Sequence, residues 1–458
     1  MEAAVVPFWK KDKAFYATLL EITIPVALQN LISASLNMID TLMIGQLGEH
    51  SIAAVGLANE VFFLLNLFLF GICSGTGIFV AQFWGKEDIK SIRRVVALSL
   101  LCGFGVAGVF TFVALALPEK ALGVFTRDVA VVQLGSSYLT IVGLSYVMTA
   151  VTYAYSFALR NTAKPKIPMI ISAIAVLTNA VFNYLLIFGK LGFPEMGVRG
   201  AALATVIARA LELCLILFVV YRYNLAAATR LKDLLGIPAS FVKGFFNTTV
   251  PVILNEALWA LGVTTYSVIF AHMGTGVVAA VNIAATVERM AMVFFIGMSH
   301  ACAFMVGNAI GAGDEEQAVD YAKKLAVVGP ITALLAGFVV VGFSQRIISL
   351  FQVSDIVRVD ARAVLIAAAL VMPIRTFNWI NIVGVLRGGG DTRFSLFIDA
   401  TAVWCVGVPM GYVLGLVVGS PIRFVYPMVI FSEQVYKGIL GVKRLLSRKW
   451  INDLAQLS

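Results

Sequence analysis

Charge is what this sequence has least of: 13% of its 458 residues are Asp, Glu, Lys or Arg, against about 25% in an ordinary soluble domain. With 60% hydrophobic residues and a mean hydropathy of +0.93, the chain could not cover its own surface in water. Histidine is scarce, and His50, His272 and His300 lie far apart. The five cysteines (Cys73, Cys102, Cys214, Cys302, Cys405) sit inside apolar stretches with no C-x-x-C spacing, which excludes a disulfide framework and offers no metal cluster. No phosphate loop of the G-x-x-x-x-G-K-[ST] type occurs, so the chain carries no nucleotide-driven motor, and no catalytic constellation is present. The net charge of +9 is not gathered on a soluble face, as nucleic-acid binding would require.

What the sequence does have is apolar runs of 20 or more residues from end to end, each long enough to cross the roughly 30 Å hydrocarbon layer as a helix and none alternating as barrel strands do. Twelve spans are expected: Phe15 to Leu47, Ile52 to Trp84, Val95 to Leu117, Val131 to Ala158, Pro168 to Phe188 and Ala201 to Val220, then Val250 to Met273, Val277 to Ile310, Ala326 to Phe343, Val364 to Leu386, Phe394 to Val418 and Val425 to Leu440. The fold class is all-α and membrane-embedded. Residues 1–14 read as an uncleaved cytosolic tail, 15–222 as a first six-helix lobe, 223–245 as a cytoplasmic linker, 246–440 as a second lobe and 441–458 as a cytosolic C-terminal tail. With the start inside, loops and tails on that side hold 23 Lys and Arg, Arg160 and Arg387 counted with the loops and Lys437 with the tail, against 8 outside. That bias puts both termini in the cytoplasm of a plasma-membrane protein.

An internal repeat supports two lobes. A shift of 226 carries Pro25, Val26 and Leu28 onto Pro251, Val252 and Leu254, Gly48 onto Gly274, and Gly71, Gly85 and Asp88 onto Gly297, Gly311 and Asp314; a shift of 227 carries Leu159 and Arg160 onto Leu386 and Arg387. Six spans per copy make the copies parallel, related by an axis along the membrane normal, which favours a transporter with its site between the lobes. Pro25 and Pro251 recur near the start of the first helix of each copy, where a missing backbone hydrogen bond makes them hinge candidates or static kinks.

A charge inside the bilayer costs at least about 2.5 to 3.5 kcal/mol at a helix centre and so calls for a reason. Asp40, Glu60, Glu212, Glu256, Glu288, Arg289, Arg375 and Asp399 are the residues to explain. Asp40 lies in the outer half of helix 1. Asn179 and Asn183, four residues apart on helix 5, share one face. Two amides and a carboxylate supply oxygens for Na⁺ or hydrogen-bond partners for a protonated carboxyl; interhelical glue is the other reading. Glu256 falls opposite Asn30 in the repeat and Asp40 opposite Tyr266, so the copies place their acids differently. Glu288, Arg289 and Arg375 could form a structural ion-pair network or a substrate site, which makes Asp40, Glu256, Glu288 and Arg375 the substrate-binding candidates. Glu60, Glu212 and Asp399 have no evident partner set in the sequence and are expected to be buried against other helices. The 32 Phe and 14 Met are packing residues, some of which would make an adaptable cavity wall.

Ile-Pro-Val-Ala-Leu-Gln-Asn at the start of helix 1, Ile-Asp-Thr-Leu-Met-Ile-Gly-Gln-Leu-Gly, Ala-Gln-Phe-Trp-Gly, Ala-Leu-Arg-Asn-Thr-Ala-Lys-Pro, Gly-Val-Arg-Gly-Ala-Ala-Leu-Ala-Thr and Val-Leu-Arg-Gly-Gly-Gly-Asp-Thr together resemble the prokaryotic multidrug and toxic compound extrusion (MATE) transporters of the MOP superfamily, with features of both DinF-like and NorM-like members. The resemblance covers nearly the whole chain. It implies a monomer of two six-helix lobes that exports bulky, often cationic, amphiphilic organic compounds in exchange for H⁺ or Na⁺ without a cofactor. By motif position Asp40, Tyr138, Asn179, Asn183 and Thr205 match the family's cation network, with Asp40, Asn179, Asn183 and Thr205 as metal ligands if the ion is Na⁺. Archaeal and DinF-like members often carry Asp where this chain has Asn183. Glu256 matches the helix 7 acid of NorM-type members, whereas their helix 10 acid is replaced near Thr376 or Asn378. The alternative within the superfamily is a lipid-linked oligosaccharide flippase, for which a strongly cationic cavity is expected.

Overall fold

A computed structural model describes residues 12–351 and 353–457; most of the expected N-terminal tail, residues 1–11, lies outside them. The first half of the chain forms α1 (Lys13–Gly45), α2 (Glu49–Gly85), α3 (Ile89–Ala116), α4 (Val129–Val142 and Ser145–Arg160), α5 (Lys166–Phe188) and α6 (Val198–Arg222). The second forms α7 (Ala239–Met273), α8 (Thr275–Gly311), α9 (Glu315–Ser349), α10 (355–386), α11 (Thr392–Val417) and α12 (Ile422–Ser447). Each expected span is a helix. α7 begins at Ala239 rather than Val250 and α9 at Glu315 rather than Ala326, because their first turns stay helical beyond the apolar run. α4 bends by 50° where its two parts meet, and Thr111 Oγ1 donates to the Gly143 carbonyl at the bend, 3.2 Å away.

By length and composition, nine helices among the described residues could cross a membrane, or ten with the two parts of α4 taken as one span. The two that fall outside that set, α10 and α12, are the ones into which Arg375, and Glu433 with Lys437, are built. Large apolar side chains such as Phe112, Leu177, Phe338 and Leu370 point outward and are more than 60% exposed, as lipid contact requires of a surface with no water to face.

The repeat positions acquire local reasons. Asp88 caps the start of α3, its carboxylate accepting from Ser91 N at 3.0 Å, and Asp314 caps α9 in the same way from Gln317 N at 2.9 Å, each answering one of the four unpaired amides that begin a helix. Gly48 and Gly274 precede α2 and α8 with φ of 100° and 132°, a backbone that side chains with a Cβ rarely adopt.

The described residues divide into two compact units, one of Leu28–Ile253 and one of residues 12–27 with Leu254–Gln456. Pro25 and Pro251 both lie inside continuous helices, and each unit boundary falls two residues beyond one of them. In the first unit Leu65, Leu69, Leu139, Tyr146 and Ile187 form a fully buried core among α2, α4 and α5. In the second, Ala280, Ala284, Leu365 and Val425 do the same among α8, α10 and α12.

Candidate functional site

In the first unit, helical spacing on α5 stacks two amides one turn apart. Asn183 Nδ2 donates both to Asp40 Oδ1 on α1 and to Asn179 Oδ1 at 2.9 Å. Asn179 Nδ2 in turn donates to Thr205 Oγ1 on α6 at 3.3 Å, and the buried Tyr138 hydroxyl on α4 meets the same threonine. The five residues matched by resemblance thus come together from four helices. The donor set is one carboxylate and otherwise neutral oxygens. Asn183, 1% exposed, keeps its Oδ1 without a hydrogen-bond partner, and an orphaned buried acceptor is costly until a proton donor or a cation reaches it. The residues therefore fit a monovalent cation or a proton. Among the described residues no group of three or more His, Cys, Asp or Glu could hold a metal ion.

Beside this network runs a second polar chain that sequence reasoning missed. Arg209, one turn beyond Thr205 on α6 and within electrostatic reach of Asp40, pairs with Glu212 at 2.7 Å. Glu212 Oε1 accepts from Ser172 Oγ at 2.9 Å, Ser172 Oγ accepts from Gln29 Nε2 at 2.8 Å, and Gln29 Oε1 accepts from Arg160 Nη2 at 2.7 Å. Glu212, whose partners the sequence did not reveal, is buried as expected and held from two sides, whereas Glu60 is not buried. Arg160, counted among loop cations, is instead the last residue of α4, folded over the Phe157 ring at 5.2 Å. With Arg209 committed to Glu212, Asp40 draws its hydrogen bond from a neutral amide.

The second unit holds the other candidates in ion pairs. Glu256 Oε1 lies 2.8 Å from Arg387 Nη1, and the arginine is 3% exposed. Glu288 pairs with Arg375 and accepts from Tyr426 Oη at 3.4 Å. Arg289 is not part of that pair: it is exposed and donates to the Ala285 carbonyl. Glu60 is exposed as well. Asp399, whose partners were likewise not evident in the sequence, binds Lys437 Nζ at 2.9 Å and accepts from Asn255 Nδ2 at 3.0 Å. Lys437 is not a tail cation: it lies within α12, buried, and also pairs with Glu433 at 3.0 Å. Of the two positions near which the resemblance implies a replaced helix 10 acid, Asn378 Nδ2 donates to the Gln434 side chain at 2.9 Å and Thr376 is fully buried.

Polar networks buried within repeated six-helix halves define a membrane transporter rather than an enzyme. The MatE family profile matches residues 25–185 and again 251–413, one match per repeat copy, and the chain belongs to this family of MATE transporters. Its relatives include an uncharacterized transporter, YisQ, of Bacillus subtilis, 24% identical with 96% of both chains covered. A probable multidrug resistance protein NorM of Thermotoga maritima is 23% identical over 94% of this chain and 92% of its own. Among solved structures, a MOP superfamily transporter from Pyrococcus furiosus aligns with a TM-score of 0.83 at 19% identity, covering 94% of this chain and 96% of the other.

Proposed function

We propose that the chain exports amphiphilic, often cationic organic compounds from the cell in exchange for H⁺ or Na⁺, by alternating access. The observation that carries this reading is the Asp40–Asn183–Asn179–Thr205–Tyr138 network with its orphaned acceptor, a site one ion can neutralise. Its relatives in Thermotoga maritima and Yersinia enterocolitica are named as multidrug resistance proteins, which supports the substrate class. Binding of a proton or Na⁺ at Asp40 removes a charge from the interior of the first unit, and α1, which lacks a hydrogen bond at Pro25, is the element free to bend in response. A flippase of anionic lipid-linked sugars is disfavoured by the second unit, where Arg375 and Arg387 are each neutralised by a glutamate.

Efflux of a fluorescent cation from proteoliposomes under separately imposed Na⁺ and pH gradients tests the reading. One gradient is expected to drive export against its own equilibrium; export indifferent to both would overturn exchange. For the placement of both termini in the cytoplasm, single cysteines at the exposed positions Lys232 and Arg358 are expected to react with an impermeant maleimide only from the cytoplasm and only from outside, respectively. External labelling at 232 would reverse the orientation.

A further inference from the structure

The two repeat copies keep one polar chain. A shift of 226 carries Gln29 to Asn255 and a shift of 227 carries Ser172 to Asp399 and Arg160 to Arg387. The contacts correspond too: Gln29 donates to Ser172 at 2.8 Å and Asn255 to Asp399 at 3.0 Å, while Arg160 bonds Gln29 and Arg387 pairs with Glu256, the neighbour of Asn255. A base from the last helix of each copy, Arg209 or Lys437, completes the chain.

The copies diverge where the first holds its carboxylate. The position of Asp40 is Tyr266 in the second copy. A π-helical segment, Ala402–Gly407, adds a residue to α11, so that Gly407 answers Asn179 at a shift of 228. The exchange conserves volume: a Cβ on Gly407 would collide with the Tyr266 hydroxyl. Through that gap Tyr266 Oη donates to Glu433 Oε2 at 2.7 Å. The acid has moved from the first helix of the copy to the last.

Charge then decides what this site can bind. Glu256 with Arg387 and Glu288 with Arg375 are neutral pairs, whereas Lys437 faces two carboxylates, Asp399 and Glu433, leaving one negative charge away from water, where an uncompensated ion is expensive. Asn255, 2% exposed, also keeps an unpartnered Oδ1 beside Asp399. We propose that the Asp399–Lys437–Glu433 triad is a second ion site that takes one proton, carried by Glu433. Na⁺ is disfavoured because all four carboxylate oxygens are already engaged, Asp399 Oδ1 and Glu433 Oε1 by Lys437, Asp399 Oδ2 by Asn255 and Glu433 Oε2 by Tyr266. A proton instead leaves Lys437 with Asp399 and the carboxyl group neutral.

The groups facing Glu433 are Tyr266 on α7, Lys437 and Tyr426 on α12, Gln434 beside it, Asp399 on α11 across Lys437, and Arg375 on α10 with its partner Glu288 on α8. That this proton is coupled to export rests on the exchange reading; that it binds does not.

Infrared difference spectra of the purified full-length protein across a pH titration test the binding itself. A protonated-carboxyl band is expected that persists in Asp40→Asn, disappears in Glu433→Gln, changes midpoint in Tyr266→Phe, and is unaffected when K⁺ is replaced by Na⁺ at fixed pH. A Glu433→Gln spectrum superimposable on that of the wild type, or loss of the band on adding Na⁺, would overturn the proposal. Should Glu433→Gln elute as aggregate, Tyr266→Phe decides alone, and an unmoved midpoint sinks the site. In proteoliposomes Glu433→Gln is expected to lower export driven by a pH gradient about tenfold, within the range of ordinary coupling energies. Wild-type export that ignores both gradients would remove the exchange reading while leaving the infrared result standing.

Discussion

Asp40→Asn is expected to fold and insert normally and to lose gradient-driven export by about 100-fold, toward the upper end of typical coupling between two bound species. The amide is nearly isosteric with the carboxylate, and in the first unit Asp40 Oδ1 accepts its hydrogen bond from Asn183 Nδ2, a bond that the amide oxygen of asparagine can accept in its place. What the substitution removes is the charge that binding of an ion would cancel. Without a charge difference between the loaded and empty states the ion has no differential affinity for two conformations, and a ligand with none cannot shift their balance. Asn183→Asp adds a second carboxylate to the same oxygen set and is expected to retain export with its ion preference moved toward Na⁺, which tolerates more anionic oxygen ligands than a single proton can satisfy. Initial efflux rates under each gradient, normalised to protein inserted, measure both variants. Asp40→Asn transporting at the wild-type rate under both gradients would place the coupling ion elsewhere, with Glu433 the next position to test.

The architecture was legible because hydropathy reports spans directly: each apolar run of the sequence falls on a helix of the described residues, although α7 and α9 begin before their runs, and the recurrence of Pro25, Gly48 and Asp88 at Pro251, Gly274 and Asp314 exposed the duplication. Asn179 and Asn183 were legible as a pair since four residues on a helix is one face. Gln29 and Ser172 were not, because a single uncharged polar residue in an apolar run costs little and stands out little; only the contact between them, across 143 residues of chain, gives them meaning. Arg160, Arg387 and Lys437 were misplaced for a different reason. Each sits at or near a span end, where counting rules assign a cation to the aqueous loop, yet each side chain turns back onto an acid or an amide of its own unit, and Arg387 and Lys437 are buried there. The repeat itself held the signal: aligned arginines at 160 and 387 in both copies are hard to explain as loop charges, which need only be basic and not in register.

Glu256→Gln separates the two meanings of a buried acid, as an anchor for cationic substrates or as the counterion of Arg387. If it is the counterion, the single substitution strands a guanidinium that is 3% exposed and held otherwise by a 3.4 Å contact to Ser395 Oγ. Breaking one side of such a pair costs about 3–5 kcal/mol, whereas replacing both partners with groups of matched shape is often nearly neutral. Glu256→Gln is therefore expected to lower the melting temperature of the detergent-solubilised protein markedly, and the double substitution Glu256→Gln with Arg387→Met to recover most of the loss, since removing both partners strands neither of their charges. Were Glu256 instead a substrate anchor, the single variant would melt as the wild type does and lose export of cations while keeping that of neutral compounds. The repeat favours the counterion: in the first copy the corresponding arginine, Arg160, is satisfied by the neutral oxygen of Gln29 at 2.7 Å, and the second copy, whose helix 5 equivalent carries Asp399 in place of Ser172, uses Asn255 for that contact and the adjacent Glu256 for the arginine. A melting temperature for Glu256→Gln equal to the wild type's, with cation export alone reduced, would reverse this assignment.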